Sequence, residues 1–143
     1  GENVNVADNE GKTSLMYAAE NNSNVEVVSL LLNAGADINA VDYLGNNVLM
    51  AAGSNWKDEC GQIIRKLLDT GIDVNIKNNK GKTALMYAAE NEENEGKIII
   101  VTMLLEAGAD VNIVDDDGMS ALDYAIENNN LELIKVLRSK SGN

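Results

Sequence analysis

GKTSLMYAAEN at Gly11–Asn21 returns as GKTALMYAAEN at Gly81–Asn91. Between them stands GNNVLMAAG (Gly45–Gly53), and after them comes GMSALDYAIEN (Gly118–Asn128). A chain built from one recurring unit is quasi-one-dimensional, each unit burying its apolar faces against the next. The glycines at 11, 45, 81 and 118 mark the register, with spacings of 34, 36 and 37 residues. A second set, Gly35, Gly71 and Gly108, precedes the next marker by 10 residues each time. The loop is therefore constant, and the variation in length falls within the helical half of the unit.

Each unit reads alike. Thr13, Thr83 or Ser120 precedes an apolar run, where its hydroxyl can cap a helix N-terminus. A short helix with paired small residues follows (Leu15-Met16-Tyr17-Ala18-Ala19), then a polar turn, then a longer apolar helix such as Val25–Leu32. That helix stops at Gly35, a residue suited to the left-handed conformation beyond a helix C-terminus. The stretch to Asp42 is too short for another helix and reads as an extended turn. Both helices carry apolar residues on more than one face, as expected of pairs sandwiched between neighbours. Asn47 stands where the other units have Thr or Ser, so a weaker or different cap is expected there.

These residues resemble ankyrin repeats, whose signature is a period of about 33 residues with a β-turn, two helices and a T-P-L-H-x-A motif. The resemblance implies an all-α solenoid of stacked helix-turn-helix units joined by β-hairpin-like loops. It divides the chain into the tail of a preceding repeat (1–6) and repeats at 7–40, 41–76, 77–113 and 114–143, the last also a C-terminal cap. Ser14, Val48, Ala84 and Ala121 replace the motif's Pro, and Met16, Met50, Met86 and Asp123 replace its His. The irregular spacing argues against a designed consensus array, and the Asn-rich style is similar to that of bacterial ankyrin proteins. The opening GENVNVA matches the loop at Gly35–Val41, so the chain reads as a fragment of a longer array.

The net charge of −12 disfavours nucleic acid and anionic membrane surfaces, since phosphate is met by Lys and Arg. No apolar run approaches a membrane span. No compartment is fixed, the cytoplasm being favoured over export by the lack of a signal-peptide pattern, an argument weakened by the chain's not opening on Met. Histidine is absent, which removes His-based triads and metal sites. Cys60, with no His to pair with, reads as a small buried hydrophobe. Asp115-Asp116-Asp117-Gly118 fails as a calcium loop, because that register puts Ile113 and Tyr124 where carboxylates belong. No enzyme, metal or cofactor is expected.

Members of the resembled family bind proteins through fingertips and inner helices on a concave side, which implies an unidentified protein as the partner. Val41, Tyr43 and Leu44 form an apolar fingertip in the second unit, with Asn46 beside them and Trp56 placed to extend the patch or to fold back over its helices. Lys77, Lys80 and Lys82 read as a basic fingertip, able to grip an acidic partner or to pair with Asp116 and Asp117. Met119 stands at the tip of the fourth unit. Tyr17, Tyr87 and Tyr124 recur at one helical position and read as packing. The alternative reading is a structural spacer or capping segment of a larger protein. The exposed face of the first helix pair is expected to promote self-association.

Overall fold

The computed structural model describes residues 3–21, 24–54, 60–90 and 95–141. They form eight α-helices: α1 (Ser14–Asn21), α2 (Val25–Asn33), α3 (Val48–Gly53), α4 (Cys60–Leu68), α5 (Ala84–Glu90), α6 (Glu95–Glu106), α7 (Ala121–Glu127) and α8 (Leu131–Lys140). The fold is all-α, and between the helices the described residues hold only an isolated antiparallel bridge, Ala7 with Thr13. No described helix is long and apolar enough to cross a membrane.

The helices pack in two rows. The short helices α1, α3, α5 and α7 follow one another, and the longer α2, α4, α6 and α8 run behind them. Each short helix also packs on the longer helix of its own pair. The close approach within the first row follows from the small residues seen in the sequence. Ala19, Ala52, Ala88, Ala89 and Ala125 are fully buried there, with Leu15, Leu49 and Leu85 between them. The second row supplies Ile63, Ile64, Leu67, Ile100, Val101, Leu104, Leu133 and Leu137, all fully buried. The core is aliphatic, as a chain without Phe requires.

The helix ends are closed by the chemistry expected of them. Thr13 and Thr83 accept from the backbone N–H of Met16 and Met86 at 3.4 Å. Asn47 accepts from Met50 N–H at 3.0 Å, so this cap differs in kind but is shorter than those of the threonines. Ser120 forms a reciprocal capping box with Asp123, the residue that replaces the motif's His. Past α2 the chain turns left-handed at Gly35 (φ 92°), where Gly35 N–H bonds Leu32 C=O and Ala36 N–H bonds Leu31 C=O. This arrangement satisfies carbonyls that the helix leaves over.

Candidate functional site

The fingertips are built on one side chain each. Asp8 Oδ1 accepts the N–H groups of Glu10 and Lys12 at 2.8 and 2.9 Å. Asp42 does the same for Leu44 and Asn46, Asn78 for Lys80 and Lys82, and Asp115 for Asp117 and Met119. Each turn is thus locked by a short polar side chain that mimics a backbone acceptor. Neighbouring tips are then joined by main-chain bonds: Tyr43 N–H to Glu10 C=O, Asn79 N–H to Leu44 C=O, and Asp116 N–H to Lys80 C=O. The approach is close enough to require glycine beside it. Gly45 has φ +80°, and a Cβ there would lie 2.9 Å from the backbone nitrogen of Asn79.

On this fixed row Val41, Tyr43 and Leu44 are 50%, 72% and 60% exposed, placing the apolar fingertip in solvent. Lys77 and Lys80 are exposed as well. Lys82 stands apart from them. Its ammonium turns away from the tip to meet Glu90 at 2.9 Å, and it lies 5.3 Å from the ring centre of Tyr87 and 4.9 Å from that of Tyr124. Asn46 is half-buried in a hydrogen-bond network, and Met119 is half-buried against the core. Trp56 lies outside the described residues, as does the side chain of Cys60.

Behind the tips, the first-row helices repeat a three-residue device. Lys12, Tyr17 and Glu20 in the first unit correspond to Lys82, Tyr87 and Glu90 in the third. Lys12 meets Glu20 at 3.0 Å and lies 5.3 Å from the Tyr17 ring centre, a cation–π distance. Tyr17 donates its hydroxyl proton to Asp8, and Tyr124 donates to Asp115. Where the turn residue is Asn78, its amide donates to Tyr87 Oη at 2.9 Å, and that hydroxyl donates onward to Asn46 Oδ1 at 3.1 Å.

The electrostatics follow from these contacts. Burial pushes the Tyr124 phenol up and the bond to Asp115 adds to it, together raising it to about 12. Burial also pushes the Asp115 carboxyl up. The Tyr124 hydroxyl and the N–H groups of Met119 and Asp117 outweigh that and hold it below the usual carboxylate value. Burial pushes the Lys82 ammonium down, and Glu90 with Tyr124 more than offsets it.

The second unit breaks the device. Asn46, Ala51 and Ser54 stand where Lys, Tyr and Glu stand in its neighbours. A cavity of about 260 Å³ opens beside Ala51, walled by Lys12, Glu20, Asp42, Asn46 and Tyr87 over Met16 and Met50. The recurrence of Tyr17, Tyr87 and Tyr124 reads in the sequence as packing, and the signal for the cavity is Ala51, which interrupts it.

A family model described as ankyrin repeats in three copies matches residues 1–78 and again residues 49–143. No curated protein matches the chain. The chain belongs to the ankyrin-repeat family, whose members are in general protein–protein interaction modules and typically non-enzymatic.

Proposed function

We propose that this ankyrin-repeat chain binds a protein partner through its fingertip row and the adjoining face of its short helices. The observation that carries the reading is the exposed apolar run Val41-Tyr43-Leu44 on tips locked to their neighbours by main-chain bonds. A rigid platform loses little conformational entropy on binding, so its exposed aromatic and aliphatic groups translate efficiently into affinity. Tyr is also among the residues most enriched at binding hot spots. Lys77 and Lys80 flank this patch with positive charge on an otherwise acidic molecule and would orient an acidic segment of the partner.

The experiment is capture of the partner on the immobilised chain, followed by its Kd for the chain and for the Tyr43→Ala/Leu44→Ala variant. Both side chains are exposed, so the variant folds as the parent does, which thermal denaturation checks. The expected result is binding weakened roughly tenfold or more. An unchanged Kd removes this patch from the binding surface.

A further inference from the structure

The cavity beside Ala51 has internal counterparts that show what fits it. In the first and fourth units the turn aspartate receives a phenol hydroxyl from the tyrosine nine residues on, Tyr17 to Asp8 and Tyr124 to Asp115. Asp42 has Ala51 at that distance and takes a 3.3 Å bond from Asn46 Nδ2 instead. That is longer than a usual N–H···O bond. Lysine placement repeats too. Lys82 faces its own unit's Tyr87 on one side and the next unit's Tyr124 on the other. Lys12 faces Tyr17 on one side and lines the cavity on the other. The site therefore holds an acceptor for a phenol hydroxyl, a cation for the face of its ring, and an apolar floor from Met16 and Met50.

We infer that this cavity receives a phenol ring, presented as the tyrosine side chain of a partner protein. The ring takes the place filled by Tyr17 and Tyr124 in other units, donates its hydroxyl proton to Asp42 and lies against Lys12. Size permits it, since a cavity of roughly 150 Å³ already holds benzene. The inference builds on the protein-binding reading but is tested apart from it, because the ring alone is sufficient as a probe.

The test uses p-cresol, toluene and n-propylguanidinium as probes of the tyrosine side chain, its deoxy form and a cationic rival. Each is titrated into the full chain and followed by amide chemical shifts. p-Cresol is expected to move Lys12, Asn46 and Ala51 and to bind about tenfold tighter than toluene, the worth of one hydrogen bond to a charged group. Asp42→Asn keeps the turn acceptor, as Asn78 does in the third unit, but meets the phenol oxygen with a neutral amide donor in place of a charged acceptor, as Asn78 meets Tyr87, and is expected to cut that preference by about threefold. Ala51→Tyr, which fills the cavity from within, is expected to abolish binding; the Asp42→Asn comparison decides the matter even if this variant does not fold. Shifts at other residues, equal binding of p-cresol and toluene, or tighter binding of n-propylguanidinium would each overturn the inference. Partner capture without p-cresol binding removes the cavity and leaves the fingertip reading standing. p-Cresol binding together with an unchanged partner Kd for Tyr43→Ala/Leu44→Ala keeps the cavity and removes the fingertip patch.

Discussion

Asp115 is both a turn lock and a titrating group, and its two roles separate in an acid titration. Its folded pKa lies below that of an unfolded aspartate, about 3.9. The stability it contributes is therefore complete above that pH and is lost as pH falls through the lower folded value. Tyr124 works at the other end. Its folded value near 12 exceeds the unfolded value of about 10. Its contribution is complete below pH 10 or so and is lost as pH rises through the folded value. Asp115→Asn is expected to shallow the acid limb of a stability–pH curve measured by urea denaturation. It is also expected to bring Tyr124 to an earlier midpoint in a 295 nm absorbance titration. An unaltered tyrosine titration would show that Asp115 does not hold the phenol. At this scale the sequence was half legible. The turn residues Asp8, Asp42 and Asp115 and the three tyrosines stand out as recurrences. Their pairing across nine residues does not, because it depends on how the short helix is aimed back at its own turn.

Among the helices, α6 departs most from its counterparts. The sequence places four extra residues in the third unit, and α6 runs to 12 residues where α2 has 9. Within it Lys97 is buried, and its Nζ donates to Gly53 C=O at 2.8 Å, at the C-terminus of α3. A helix C-terminus carries partial negative charge and unpaired carbonyls, which makes it a natural acceptor for an ammonium group. Nothing in EGKIIIVTMLLE points to this bond, because the acceptor lies 44 residues away on another unit. Lys97→Met keeps the bulk of the stem but leaves the Gly53 carbonyl without that donor. It is expected to lower the stability of the chain by about 2 kcal/mol, the cost of removing a buried hydrogen bond to a charged group. Urea denaturation measures it, and a shift in midpoint at constant m-value is the expected form. A change below about 0.5 kcal/mol would show that the carbonyl is satisfied without Lys97.

Over the whole stack, one pair of positions distinguishes the first unit from the rest. Ile63 and Leu67 in α4, Ile100 and Leu104 in α6, and Leu133 and Leu137 in α8 are fully buried, and each of these helices packs on the longer helix before it. The same register positions in α2 are Val27 and Leu31, and both are only half-buried. Alongside them Leu30 is 68% exposed. The reason is packing order: α4 and α6 each meet two helices of their own row, whereas α2 meets only α4 there. The opposite face of the stack is treated differently. On α8, Lys135, Arg138 and Lys140 are exposed beside a half-buried Ile134, although Leu131 at its start is 68% exposed. The stacking itself was legible from the repeat; which side chains it leaves uncovered required the helix-by-helix burial. The α2 face is therefore expected to pair with a second copy of the chain. The net charge of −12 opposes this at long range, and salt removes that opposition as the screening length falls from about 30 Å at 0.01 M to about 8 Å at 0.15 M. Light scattering should show the mean mass rising with concentration, and rising more at the higher salt. Val27→Lys with Leu31→Lys should hold the chain monomeric under both conditions, and self-association that persists in this variant would place the contact elsewhere.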